Sequence, residues 1–240
     1  MPLASIAIVR TFKYAMYFNG VNAYAEVPAS SSLYLSGDFT VCVWVAPTWV
    51  YSGWFGVVDN GRNSMANWWF LTLKNSPAFL AGIGFTDNTG MEIYFPSEQV
   101  VAFHHYCFGV SGSNLFGYRD GSLYQSSSFT KTRNVQNLPI DIGRREGGSD
   151  YANVYVYQVL IYNRALSSSE IQWNYSNPND PVRSGLVLWL QADPAYISGN
   201  TWLDLSGNNN NATLYNIQLV QLIQSPIRIL LPIRILSPIA

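Results

Sequence analysis

The sequence is poor in charged residues. They make up 11% of its 240 residues, and the net charge at pH 7 is −1, whereas ordinary globular domains carry about 25% charged residues. The 13 lysines and arginines are scattered, with only Arg144 and Arg145 adjacent, so nothing indicates a nucleic-acid partner. Two situations explain so little charge: a large β core with tyrosines on its faces, or a subunit whose surface is mostly covered by neighbours.

Long apolar runs and leader signals are also missing. The sequence has no run of about 18 or more apolar residues, so we expect no membrane-spanning helix. Residues 1–13 lack the basic start and the apolar length that are typical of a secretory signal peptide. If the protein works outside the cell, we therefore expect an unusual export route or a chain that begins at a processed end.

Catalytic and metal-binding motifs are scarce as well. His104 and His105 are adjacent in a predicted strand, so they point to opposite faces and do not easily share a metal. Neither a zinc-type spacing nor a phosphate-binding loop occurs. No Glu-x-Asp-x-Glu run presents the paired carboxylates of a glycosidase on one strand face. We therefore expect a protein that is not an enzyme and has no obligatory cofactor.

The only two cysteines are Cys42 and Cys107, each within a predicted strand. Two half-buried thiols fit this pattern, and so does a disulfide between adjacent strands. Spacing alone does not decide between them, so the sequence leaves their oxidation state open.

What the sequence does contain is a long series of short strand patterns separated by turn residues. Asn19-Gly20 predicts a hairpin between residues 14–18 and 23–27, and Asp120-Gly121 predicts another between residues 115–118 and 123–125. One helix is predicted, from Ser168 to Tyr175, with a serine at its cap and Glu170 in its first turn. Many strands with almost no helix predict an all-β, antiparallel sandwich.

The order of these pieces resembles the laminin-G-like, concanavalin A-like jelly-roll family. The matching residues are 16–24, 35–40, 44–45, 103–105, 120–121, 142–144 and 161–171. The resemblance implies a jelly-roll β-sandwich of a kind that mostly binds glycans or proteins, with some structural members and a few glycosidases. It also raises the question of Ca²⁺, which the family often holds at a loop rim through Asp, Asn and carbonyl oxygens. Asp59 with Asn60 is the best match for such a site, and ordinary turn polarity is the alternative.

A further part of the same family pattern is out of order. Residues 185–216 resemble the segment that usually precedes the first strand pair, yet here they follow the helix; their strand contains Leu186, Leu188, Trp189 and Leu190. Either the segment folds back onto its own domain as a permuted strand pair, or it completes the next copy in an assembly. We accordingly divide the chain into an N-terminal arm (1–13), the sandwich (14–182), the displaced strand pair (183–216) and an extended tail (217–240).

The tail has a pattern of its own. Residues 225–240 read SPIRILLPIRILSPIA. All three prolines stand at even-numbered positions, whereas the odd-numbered positions are almost wholly aliphatic. The aliphatic residues are Ile227, Ile229, Leu231, Ile233, Ile235 and Ile239. Such a strand suits addition to an exposed sheet edge that must not be extended further. A linker in polyproline form is the alternative.

Two functions from different classes fit these features. The first is a structural subunit that polymerises with copies of itself by donating residues 185–240, giving an extracellular filament, fibre or virion coat. Its Pro-Ile-Arg-Ile-Leu tail has a loose likeness to virion or fibre proteins of hyperthermophilic archaea and their viruses. The second is a monomeric adhesion module that binds surface glycans through an aromatic loop. Its candidate residues are Trp49, Tyr51, Trp54, Asn60 and Arg62.

Overall fold

A computed structural model describes residues 12–48, 54–61, 69–74, 78–97, 102–145, 148 and 150–222. In chain order, the first ten strands are β1 (Tyr14–Asn19), β2 (Tyr24–Val27), β3 (Phe39–Pro47), β4 (Trp54–Asp59), β5 (Trp69–Lys74), β6 (Ala78–Gly84), β7 (Gly90–Ser97), β8 (His104–Ser111), β9 (Asn114–Arg119) and β10 (Ser122–Ser128). The next are β11 (Ile140–Ile142), β12 (Arg144–Arg145), β13 (Asp150–Tyr151), β14 (Asn153–Tyr162), β15 (Leu186–Gln191), β16 (Ile197–Ser198), β17 (Thr201–Trp202), β18 (Ala212–Tyr215) and β19 (Gln218–Gln221). Helix α1 (Ser168–Ser176) lies between β14 and β15, and short 3-10 turns cover Ser31–Leu33 and Pro194–Tyr196.

The strands of the described residues form two sheets. An eight-stranded sheet has the order β10-β9-β8-β3-β14-β1-β19, with β15 also paired to β14. An eleven-stranded sheet has the order β16-β17-β18-β2-β11-β4-β5-β6-β7, with β12 and β13 attached beside β4. All pairs are antiparallel apart from β13 with β4. The prediction of an all-β, antiparallel jelly-roll sandwich is confirmed.

The core lies between the two sheets and follows from the alternation of side chains along each strand. Phe39, Val41, Val43 and Val45 of β3 all belong to this core, as their spacing predicts. Cys42 points the other way, into a second apolar cluster that also contains residues of α1 and β15. The eight-stranded sheet is therefore covered on both faces, which explains why its central strands are apolar throughout.

The hairpin predicted at Asn19-Gly20 is wrong. β1 pairs with β14 and β19 in one sheet, whereas β2 pairs with β11 and β18 in the other. The Asn19 side-chain oxygen accepts hydrogen bonds from the backbone N–H groups of the second, third and fourth residues after it. Gly20 adopts a φ of 71°. Together they form an arch that carries the chain from one sheet to the other, because an Asx turn fixes a change of direction but does not select a pairing partner.

The second predicted hairpin is confirmed. β9 and β10 pair directly, and Asp120 and Gly121 between them have φ angles of 51° and 78°. Two consecutive positive φ angles are those of the type I′ turn, whose twist matches that of the flanking strands.

Helix α1 is also confirmed, and its start is a capping box. The Ser167 hydroxyl accepts from the backbone N–H of Glu170, and the Glu170 carboxylate accepts from that of Ser167. Hydrogen bonds from Arg164, at 2.6 and 3.0 Å, lower the pKa of Glu170 to about 2.

The displaced segment folds back onto its own chain. β15 pairs with β14, β18 with β2, and β19 with β1. Leu188 and Leu190 are buried in the main core, while Leu186 and Trp189 join the cluster under α1. For residues 186–215 these pairings are those of the permuted placement, and β19 pairs four residues of the predicted tail (217–240) with the same chain.

Both ends of the sequence extend past the described residues. The tail residues Ile227, Ile229, Leu231, Ile233, Ile235 and Ile239 lie outside them, as do residues 1–11 of the arm. Within the described part of the chain, no helix combines the length and hydropathy needed to cross a membrane.

Strand β14 has different neighbours along its length. On one side it pairs with β3. On the other side, residues 153–156 pair with β1 and residues 158–162 pair with β15. Strands β15 and β1 therefore line up end to end along β14, and the register against β3 shifts between Val156 and Gln158. The bulge at Tyr157 marks the junction of the two strands.

The two cysteines form a disulfide. Cys42 of β3 and Cys107 of β8 are directly opposite each other and both are buried. The link therefore lies inside the cluster between the sheet and α1, and it closes a loop with a sequence separation of 65 residues.

Candidate functional site

The outer face of the eleven-stranded sheet carries aromatic and charged side chains. In β2, Ala25 and Val27 point into the core, so Tyr24 and Glu26 point outward. The same alternation turns Tyr94 of β7 outward. We call this surface the aromatic band and define it by five rings: Tyr24, Trp54, Tyr94, Tyr151 and Tyr215.

Arg144 organises one half of the aromatic band. Its Nη2 atom lies 2.9 Å from a carboxylate oxygen of Glu26 and 2.9 Å from one of Asp141. Its guanidinium carbon lies 3.5 Å from the centre of the Tyr24 ring. Tyr24 in turn stacks on Tyr215, with ring centres 4.3 Å apart and an interplanar angle of 10°. The Tyr24 ring is therefore held between a cation and a second ring, and Tyr215, 38% exposed, forms the open end of the stack.

In the half of the aromatic band that contains Tyr24 and Tyr215, Arg144 acts as a fixed positive charge. Burial opposes the charge of Arg144, yet its hydrogen bond to Asp141 and the charges around it raise its pKa. Burial also raises the pKa of Tyr24, against the pull of Arg144. The buried Nε atom of Arg144 has no hydrogen-bond acceptor among the described residues. Arg144 thus stays charged and fixes the Tyr24–Tyr215 stack in one orientation.

Trp54 organises the other half of the aromatic band. The ammonium nitrogen of Lys74 lies 4.0 Å from the Trp54 ring and 5.4 Å from the Tyr94 ring. The Arg145 guanidinium lies 5.4 Å from Trp54. The Tyr94 hydroxyl donates to Glu92 at 2.8 Å, and this bond raises the pKa of Tyr94. The two adjacent arginines of β12 therefore contact one half of the aromatic band each: Arg144 the Tyr24 half and Arg145 the Trp54 half.

Only one of the five predicted glycan-binding residues is seen in the aromatic band. Trp54 lies there, half-buried. Asn60 is 4% exposed and donates its amide to the carbonyl of Leu138 at 2.8 Å, so it is not part of the aromatic band. Trp49, Tyr51 and Arg62 lie outside the described residues.

Asp59 and Asn60, the predicted calcium ligands, are both buried. The Asp59 carboxylate accepts from the backbone N–H of Gly61 at 2.7 Å. Both side chains therefore make hydrogen bonds within the protein, as expected if they are ordinary polar turn residues and not calcium ligands. A calcium ion at this place stays a prediction.

Sequence reasoning missed a row of carboxylates. Glu26, Asp141 and Asp59 are opposite one another across β2, β11 and β4. Asp141 and Asp59 are only 3% and 2% exposed, and Arg144 bridges Glu26 and Asp141. A glycosidase needs one carboxyl group to protonate the leaving oxygen and another to reach the anomeric carbon or its water. Arg144 engages two of these carboxylates and two of them are almost fully buried, so this row does not present an accessible pair of that kind.

The histidines point to opposite faces, as predicted. His104 lies 2.7 Å from a carboxylate oxygen of Asp120, whereas His105 is buried with a ring nitrogen 3.5 Å from the sulfur of Cys107. Cys42, His105 and Cys107 bring three possible metal ligands within 4.8 Å of one another. The two sulfurs are bonded to each other, however, so neither is a thiolate in this state.

The sequence matches a known family. The family described as "Concanavalin A-like lectin/glucanases superfamily" matches residues 19–172, which is more than half of the chain. No curated protein matches the sequence of this chain.

Several solved structures share the fold at low sequence identity. One, from Bacteroides ovatus, is described as a "putative carbohydrate binding protein"; it has a TM-score of 0.68 at 15% identity, over 89% of this chain and 61% of that one. The binding domain of botulinum neurotoxin serotype G has a TM-score of 0.57 at 16% identity, over 69% of this chain and 42% of that one. The binding domain of botulinum neurotoxin DC, described in complex with SialylT, has a TM-score of 0.51 at 12% identity, over 68% and 46%. The chain thus spans less than two thirds of the length of each.

Proposed function

Because the chain belongs to the concanavalin A-like lectin/glucanases superfamily, we propose that it is a non-enzymatic binding module whose ligand is a glycan. The observation that carries this proposal is the aromatic band. Exposed rings offer apolar faces on which sugar rings stack, and neighbouring charged groups supply hydrogen bonds to hydroxyls.

The two halves of the aromatic band have separate roles in this proposal. Tyr215 is the stacking platform of the first half, with the orientation of the stack held by Arg144. Trp54 is the platform of the second half, with the Lys74 ammonium over its ring as a hydrogen-bond donor. Two platforms on one face suit an oligosaccharide better than a single sugar. One similar domain is described in complex with SialylT, so sialylated glycans belong among the ligands to be tested.

We do not advance self-assembly by strand donation as the function. The strand expected to be donated, β15, already pairs with β14 of its own chain. The related hypothesis for residues 223–240 concerns a part of the chain outside the described residues.

An extracellular or surface location goes with this proposal. The Cys42–Cys107 disulfide supports it, because such bonds form and persist mainly in oxidising compartments. Glycan-binding modules also meet most of their ligands outside the cell.

A glycan array on the purified protein tests the proposal, followed by affinity measurements for the glycans that bind. Tyr215→Ala and Trp54→Ala should each weaken binding by about two- to tenfold, since ring stacking contributes about 0.5–1.5 kcal/mol. Both rings are partly exposed, so both variants should fold.

Tyr34→Ala is the matched control, because Tyr34 is 47% exposed and is not part of the aromatic band. It should bind like the parent protein. Absence of binding on a broad array would refute the glycan proposal. If Tyr215→Ala and Trp54→Ala bind glycans with the same affinity as Tyr34→Ala, the glycan does not bind at the aromatic band.

A further inference from the structure

A cavity of about 460 Å³ opens on the eight-stranded sheet, away from the aromatic band. It lies where β15 ends and β1 begins, beside the bulge of β14. The two strands line up end to end on the same side of β14, and the chain leaves the sheet at both of their facing ends. The permuted order of the strands therefore creates the opening.

Aromatic rings line the cavity. Phe12 and Tyr157 stack with ring centres 3.7 Å apart and an interplanar angle of 11°. Tyr14 and Tyr196 lie on the lining as well. Burial raises the pKa of Tyr157, with Asp193 and Tyr196 adding to the effect, so its hydroxyl stays protonated and keeps its hydrogen-bonding role.

A network of amides holds the polar part of the lining. The Asn179 side-chain oxygen accepts from the Tyr157 hydroxyl and from the Gln191 amide, the latter at 3.3 Å. The Gln191 side-chain oxygen accepts from the Gln158 amide at 3.3 Å. Gln191 is only 7% exposed. These bonds fix the orientation of both amides before any ligand arrives.

The same network leaves donors and acceptors unused. With its oxygen engaged, Asn179 keeps the two N–H donors of its amide, which have no acceptor among the described residues. Asp193 uses one carboxylate oxygen to accept from the backbone N–H of Ala195 at 2.9 Å, and its second oxygen is unused within that part of the chain. Lys13 on the rim adds a cation. The cavity thus offers donors and acceptors together, with one positive and one negative side chain.

We propose that this cavity binds a single neutral sugar ring, as a site separate from the aromatic band. A hexose has an apolar face for the partly exposed Tyr14 and Tyr196, and hydroxyls that donate to Asp193 and accept from Asn179. The volume lies at the lower end of the range for small-molecule sites, about 300–1,000 Å³, and therefore suits a single sugar ring. The balanced charges favour a neutral sugar over an acidic one. This site does not depend on the function proposed for the aromatic band.

The test is a titration of the full chain with glucose, galactose, mannose and N-acetylglucosamine at millimolar concentration, followed by NMR of the side-chain amide signals. We expect at least one sugar to shift the Asn179 and Gln191 amide signals. Asn179→Asp keeps the oxygen that Tyr157 and Gln191 use but removes the two free donors. It should weaken binding by about tenfold or more, and Tyr196→Ala should do the same.

Two further variants make the result specific to the cavity. Asn22→Asp is the matched control, because Asn22 is exposed and its side-chain oxygen is likewise engaged; it should bind normally. Tyr215→Ala should also bind these monosaccharides normally, even where it loses binding on the glycan array. The proposal is overturned if none of the four sugars binds, or if binding survives both cavity variants.

Discussion

Leu190 in β15 offers a sharp test of whether the displaced segment completes its own sandwich. Its side chain is fully buried in the main core. Replacing a buried leucine with alanine costs the transfer energy and leaves a cavity, so Leu190→Ala should lower the free energy of unfolding by about 3 kcal/mol. For a domain of this size the melting temperature should fall by about 6–12 °C. The exposed Leu123 provides the control, since Leu123→Ala should change stability by less than about 0.5 kcal/mol.

The assay is denaturant unfolding of the parent protein and Leu190→Ala at two protein concentrations a hundredfold apart. If β15 belongs to its own chain, neither midpoint depends on concentration. A strand donated between chains would couple folding to association, and a hundredfold dilution would then cost about 2.7 kcal/mol of apparent stability. A midpoint that rises with protein concentration, or a Leu190→Ala variant as stable as the parent, would refute the permuted arrangement.

Two other predictions concern stability. Replacing both Cys42 and Cys107 with alanine should cost about 4 kcal/mol, the chain-entropy value for a loop of this length; denaturant unfolding measures it, and an unchanged midpoint would contradict the pairing. Glu170→Gln should cost about 1 kcal/mol at neutral pH, a figure already reduced because the side chains of the Arg164–Glu170 pair are 31% and 30% exposed. The pKa of Glu170 is lowered from 4.5 to about 2, so this contribution is complete above about pH 4.5 and is lost as the pH falls toward 2. Melting curves of the two proteins should therefore converge across that interval, and a constant difference would argue against the ion pair.

Features that depend on neighbouring residues were predictable from the sequence. The alternation in β3 predicts its buried face, because side chains on a strand point to opposite sides with a period of two. Asp120-Gly121 predicts a hairpin because both residues readily adopt positive φ. The serine and Glu170 at the start of α1 predict the helix because both act within one turn.

Features that depend on pairing partners were not predictable in the same way. Asn19-Gly20 marks a turn correctly, but the turn leads to the opposite sheet, and nothing local distinguishes an arch from a hairpin. Tyr24 and Tyr215 meet only because β18 pairs with β2 in one particular register. Trp54 was identified because aromatic residues are dense around it, whereas Asn60 in the same stretch turns inward. Whether the displaced segment pairs within its own chain or with another copy also depends on its pairing partner, and the sequence alone left both possibilities open.

The position of β19 beside β1 has a mechanical consequence. Tyr14 is opposite Gln221, and the backbone N–H of Leu222 donates to the carbonyl of Lys13 at 2.9 Å. The chain therefore enters and leaves this sheet at the same corner. If the chain on either side of that corner is pulled apart, the force acts perpendicular to the strands, in the direction of the antiparallel hydrogen bonds. The bonds between β1 and β19 then break one at a time. If the module is anchored through both flanking segments, tension peels β19 away first; if it is anchored through one, the ladder carries no load.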